Sequence, residues 1–214
     1  AFCFLVHFVA GMFVATFDRL SSQSTGYRAE QLLALDVTAR EKQPEPVWQE
    51  AVDQLGRIGR VKSVARCSWP VMSGNISSEF VWANGKTPDL KIIPYSLGVT
   101  PNWFHTMEIP ILAGRDIRPG DASPGVLVVN QEFARAYFDG KNPVGQFVET
   151  EGPKSTRVRH EIVGMVSDSR YKDMREPIRP VMYTPLRWVN TDGSPAASRG
   201  STFMIRVEGG DPIA

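Results

Sequence analysis

Cysteine is nearly absent from this chain. Two among 214 residues, Cys3 and Cys67, exclude a disulfide framework and a cysteine-built zinc site. Histidine is equally scarce. His7, His105 and His160 are scattered, with no H-x-x-x-H or H-E-x-x-H pair to hold a metal. No G-x-S-x-G elbow and no Walker-type phosphate loop occurs, so no ATP site of its own is expected. An excess of charge is missing too. Lys and Arg total 24 against 23 Asp and Glu, a formal net of +1. That balance lacks the basic stripe of a nucleic-acid partner. The one short basic run, Arg157-Val158-Arg159-His160, alternates with an apolar residue and reads as a strand face.

What is present first is an uncharged apolar opening, Phe2 to Phe17. Its bulky groups lie all round a helix, which suits lipid or a large core. These 16 residues span about 24 Å, short of the roughly 30 Å hydrocarbon layer. The expectation is the outer end of a truncated transmembrane helix over 1–20, with polar Asp18 to Arg28 marking the exit from lipid. A signal peptide fits poorly, because no basic residue precedes the run. A buried soluble helix is the remaining rival. His7 reads as a neutral imidazole at a helix contact or the interface.

The remainder reads as mixed α+β. Gln31 to Ala39 alternates as a strand, Glu45 to Arg60 repeats at helical spacing, and Val61 to Trp69 is a second strand. Further strands are predicted at Ile76 to Trp82, Leu90 to Val99, Val126 to Val129, Gly145 to Thr150, Arg157 to Ser167, Val181 to Thr184 and Thr202 to Val207. Thr100-Pro101 suggests a helix start, with Trp103, Phe104 and Met107 packing together. Asn130 is positioned to cap a helix over Gln131 to Phe138. Trp188 to Arg199 reads as a loop, and Asp211-Pro212 as the start of a helix that is cut off.

Chemistry-bearing candidates are few. Asp168-Ser169-Arg170 and Asp173 follow a strand end, where catalytic carboxylates often sit, but they read better as a turn with local ion pairs. Glu149 and Glu151 flank a turn with no partner base evident. No catalytic, cofactor-binding or metal-binding residue is assigned, and none of these groups is expected.

Three stretches together resemble the periplasmic core domain of MacB-type (FtsX/MacB) ABC-transporter permeases. Gly98-Val99-Thr100-Pro101-Asn102-Trp103-Phe104, continuing through Ile109-Pro110 to Gly114-Arg115, resembles the family's V-S-P-x-Y-F and G-I-P-L-x-x-G-R signature. Val128 to Phe138 with Asn142-Pro143-Val144-Gly145 is similar to its V-V-I-N-E-A-F-A-R-R-F-F and N-P-I-G pair. Glu161 to Asp168, with Val181 to Pro185, is similar to I-V-G-V-V-G-D and the following Y-x-P strand. Trp103 stands where the family has Tyr, and Met107-Glu108-Ile109 where it has Leu-Gly-Ile.

The resemblance implies an α+β fold: a split α/β porter-like subdomain with an inserted strand-rich subdomain, preceded by a truncated transmembrane helix. Residues 21–69 would begin the porter-like part, 70–120 would form the insertion, and 121–214 would supply the remaining α/β and strand segments. It implies a non-enzymatic permease domain in the inner (cell) membrane, extracytoplasmic after about residue 20. Its implied partners are a cytoplasmic ABC ATPase, a periplasmic adaptor and a second permease half, as a homodimer or pseudo-dimer. ATP hydrolysis would drive efflux or other extracytoplasmic work by mechanotransmission. Trp82 and Tyr95 are expected to be exposed aromatics that touch a partner or cargo. An extracytoplasmic ligand-sensing domain is the alternative, and a hydrolase is a third.

Overall fold

The computed structural model describes residues 2–152, 155–187, 189 and 193–209, with side chains from residue 5 onward. Its first element is α1, Phe2–Ser21. Leu5, Phe8, Met12, Phe13 and Phe17 on this helix are all more than half exposed. They lie on several sides of it, as the all-round apolar pattern demands. Among the described residues, however, no helix is long and apolar enough to cross a membrane. The helix expected at 1–20 is present as an exposed apolar helix.

The rest is one mixed sheet. Among the described residues its order is β1-β10-β2-β4-β9-β6-β8-β7-β3, with β5 paired to β8. β1 (Leu32–Gln43), β2 (Val61–Cys67) and β10 (Ser198–Val207) form one end. β10 runs antiparallel to both neighbours. The chain between β2 and β10 leaves this unit and returns, so the unit is split as expected. Helix α2 (Glu45–Gly56) covers it. Pro44 precedes the helix and Pro46 sits in its first turn, where a missing N–H costs nothing. Trp48, Ala51, Val52 and Leu55 face Phe203, Ile205 and Val207. The helix ends at Gly56, four residues short of the predicted Arg60, and Ile58 stays exposed.

Segment 70–120 supplies β3 (Val81–Ala83), β4 (Tyr95–Val99), the short helix α3 (Trp103–Met107) and β5 (Ile111–Gly114). β4 takes a central place, pairing with β2 and, in parallel, with β9 (Val181–Pro185). β3 takes the far edge against β7 (Phe147–Glu151). β6 (Val126–Asn130) lies between β9 and β8 (Arg157–Val166). Trp103, Phe104 and Met107 are fully buried, and both rings pack on Tyr183 at 5.4 and 5.0 Å. Gly114 adopts φ +72°, and a Cβ there would lie 2.2 Å from the Val163 carbonyl oxygen, so only glycine suits this turn.

Helix α4 (Gln131–Phe138) matches its predicted limits, and Asn130 explains why. This side chain is fully buried. Its Oδ1 accepts from Phe133 N at 3.0 Å and from Val181 N at 2.9 Å. Its Nδ2 donates to the Arg179 carbonyl at 2.9 Å. One amide therefore caps the helix and fixes the start of β9.

Three expected elements shift. The strand from Leu90 begins only at Tyr95, because Pro94 has no N–H for a ladder. The strand from Ile76 to Trp82 shrinks to Val81–Ala83, leaving Ser78 in an isolated bridge to Tyr95. Thr100 does not cap a helix at Pro101. Its hydroxyl accepts from Arg66 N at 2.8 Å, and α3 starts after Asn102 in the left-handed region. The predicted helix at Asp211 lies outside the described residues, as do 188 and 190–192 of the predicted loop.

The split unit carries a buried charge on β2. Arg66 is 1% exposed. It makes two bonds to Glu45, at 2.8 and 3.2 Å, and donates from Nε to Ser201 Oγ at 2.9 Å. Glu45 sits in the first turn of α2, where the helix dipole favours a carboxylate. Removing one partner strands the other charge. Glu45→Ala is expected to destabilise the domain by about 3 kcal/mol in urea titration, and adding Arg66→Met to recover most of that loss. Asn130→Ala, which orphans two N–H groups and a carbonyl, is expected to cost about 3 kcal/mol in the same assay.

Candidate functional site

The chain leaves α1 through a strap, residues 22–31, that is bound to the body of the domain. Arg170 N donates to Thr25 O at 2.8 Å, and Arg28 N donates to Met107 O at 3.1 Å. Gly26, at φ +78°, lies so close to the chain after β8 that a Cβ would meet the Asp168 carbonyl oxygen at 2.3 Å. No other residue fits that approach without displacing backbone.

Arg206 on β10 holds the strap from below. It is 3% exposed. It donates from Nε to Thr106 O at 2.6 Å, from Nη1 to Glu30 O at 2.9 Å and from Nη2 to Arg28 O at 2.7 Å. Glu108 lies 3.4 Å from its Nε. Burial pushes this guanidinium below its ordinary range, while the neighbouring Glu108 opposes the shift.

Asp168 joins the strap to α4. Its carboxylate accepts from Glu132 N at 2.8 Å and pairs with Arg135, while its backbone faces Gly26. The Asp168-Ser169-Arg170 turn is therefore a structural knot carrying ion pairs. Ser169 Oγ lies 3.2 Å from the Tyr183 hydroxyl. The sequence reads these residues as a turn with local ion pairs, and the pair to Arg135 is present. Their role appears only with the long-range contact to Gly26, and the glycine before Tyr27 was the available signal.

The histidines stay apart. His7 lies on α1, His105 is exposed on α3, and His160 is buried on β8 beside Thr150 at 3.0 Å. Burial lowers the His160 pKa. Among the described residues no three His, Cys, Asp or Glu side chains cluster as a metal site. Cys67 is a buried free thiol whose pKa burial pushes up to about 12. A cavity of about 790 Å³ opens on the sheet face beside Leu127, Thr150, Val158, His160 and Met182.

The two aromatics predicted to be exposed differ. Tyr95 is buried: it stacks on Tyr171 at 4.8 Å and donates to Glu176 Oε1 at 2.8 Å. Burial, then Glu176, raises its pKa to about 12. The expectation of exposure fails there, because Tyr95 opens a central strand whose faces are both covered. Trp82 is half-buried on edge strand β3, turned away from the α4 side, with the Arg157 guanidinium 4.5 Å above its ring. Phe147, exposed on the neighbouring β7, lies 3.7 Å under Arg159. The two do not form one site with Tyr95.

No curated protein matches this chain. Its fold is similar to the periplasmic region of MacB from Actinobacillus actinomycetemcomitans, with TM-score 0.55 and 15% identity over 90% of this chain and 82% of that one. It is also similar to the extracellular domain of the noncanonic ABC-type transporter YknZ from Gram-positive bacteria, with TM-score 0.51 and 14% identity over 85% of this chain and 86% of that one. The sequence pattern of the MacB-like periplasmic core domain matches residues 1–214. With that match covering the full sequence and the sheet architecture shared, the chain belongs to the MacB-like periplasmic core domain family of ABC-type permeases.

Proposed function

We propose that this domain is a rigid lever, moved from the membrane by α1 when a cytoplasmic ABC ATPase hydrolyses ATP, with residues after about 20 outside the membrane. The observation that carries the reading is the strap. A motion of α1 would reach the body of the domain through the contacts of Gly26, Arg28 and the buried Arg206. Coupling through packed elements of this kind needs no chemistry at the domain itself. A second permease half, as a homodimer or pseudo-dimer, would give the lever something to work against. The aromatic–arginine strip of half-buried Trp82 and exposed Phe147 is where an adaptor or cargo would dock. The ligand-sensing alternative draws support from the cavity beside His160.

Spin labels at Thr16 and Lys172 in the full-length permease with its ATPase test the lever. A single distance, unchanged by nucleotide, is expected; α1 shifting independently of the domain would refute the reading. Gly26→Val is expected to broaden that distance distribution. Trp82→Ala is expected to weaken adaptor binding at least tenfold with little change in stability, the loss of roughly 1.4 kcal/mol or more at a central aromatic contact. Tyr95→Ala, by contrast, is expected to lower stability by about 3 kcal/mol, read by urea titration, since it empties a core site.

A further inference from the structure

We infer that the groove where α1 meets the 170–177 loop binds the phosphate headgroup of an anionic membrane phospholipid. The inference rests on the reading of α1 as lipid-embedded. The groove has a volume of about 610 Å³. Three of its lining residues are arginines, Arg19, Arg170 and Arg175, against one carboxylate, Glu176.

That carboxylate is already engaged, accepting from the buried Tyr95 hydroxyl at 2.8 Å. Arg170 is engaged as well. Its Nη1 donates to Glu176 O and its Nη2 to Gln23 Oε1, both at 2.5 Å, so it fixes the groove's floor to the strap. Arg19 and Arg175 are exposed, and among the described residues neither has an ion-pair partner. The other acid close to Arg175 in sequence, Asp173, accepts at Oδ1 from the backbone N–H groups of Arg175 and Glu176, and its charge is felt by Arg175. Asp18 is the immediate neighbour of Arg19 on the helix and projects about 100° away from it.

Two exposed guanidinium groups without an ion pair among the described residues therefore line one groove, and such forks can grip a phosphate bidentately. A soluble anion would need only the charge. This groove also has an apolar side, Ala15, Leu20 and Met174, that runs into the exposed Met12, Phe13 and Phe17 of α1. Acyl chains would follow that surface while the phosphate stays at the arginines. Basic residues at the membrane surface attract anionic lipid in this way.

The test is native mass spectrometry of the full-length permease with equal phosphatidylglycerol and phosphatidylcholine. Preferential retention of phosphatidylglycerol is expected, falling about thirtyfold relative to phosphatidylcholine in Arg19→Gln/Arg175→Gln. Both side chains are exposed, so thermal stability should be unchanged. In parallel, a nitroxide at Phe13→Cys reports immersion of α1. If the label lies in lipid but the two phospholipids are retained alike, the headgroup site is refuted and the lever reading stands. If millimolar inorganic phosphate displaces the lipid, the site is one for soluble anions and the inference is likewise refuted. If the label faces water, the lipid reading of α1 falls and the site with it.

Discussion

The structure depends on a buried guanidinium finding every partner it needs. Arg206 cannot be left inside the domain unless its donors are satisfied, since an unpaired buried charge costs several kcal/mol. Its partners are backbone carbonyls from α3 and from the strap, together with the Glu108 carboxylate. A carbonyl cannot rotate away as a side chain can. The demand of one arginine thus fixes two stretches of main chain, the strap and α3, against β10, and the exit of α1 acquires a defined position on the sheet.

Around that point the domain divides its packing into three apolar clusters. One lies between α2 and the β1–β10–β2 ladder, one is central around Trp103 and Tyr183, and one lies under α4. Asn130, Arg66 and Asp168 sit where polar groups must cross into these clusters, and every side-chain nitrogen and oxygen of the three has a hydrogen-bond partner. Buried polar networks that are complete in this way specify one arrangement over its neighbours. The proposed lever role would be served by a single packed form.

Much of this was legible in the sequence where the determinants are local. Asn130 followed by Phe133, Tyr137 and Phe138 is a capped amphipathic helix, and α4 ends where the pattern does. The spacing of Trp48, Ala51, Val52 and Leu55 marks the buried face of α2 in the same way. What escaped is long-range. Tyr95 has the composition of a surface aromatic until β9 arrives beside it and Tyr171 covers its ring. Thr100 looks like a helix cap until the Arg66 backbone, 34 residues away, claims its hydroxyl. Gly26 signals a close backbone approach but does not name its partner, Asp168.

The position of β10 has a consequence for how the molecule is made. Residues 198–207 slot between β1 and β2, strands completed before residue 70. During synthesis the first two strands and α2 emerge with a gap between them that their own sequence cannot close. The apolar side of α2 stays uncovered until Phe203, Ile205 and Val207 arrive to fill it. Pairings that must wait for distant chain form slowly and leave sticky surface exposed in the interval. Assembly of this wing is therefore bound to follow that of the centre, and a nascent domain halted early would be captured by chaperones rather than stand as a finished half.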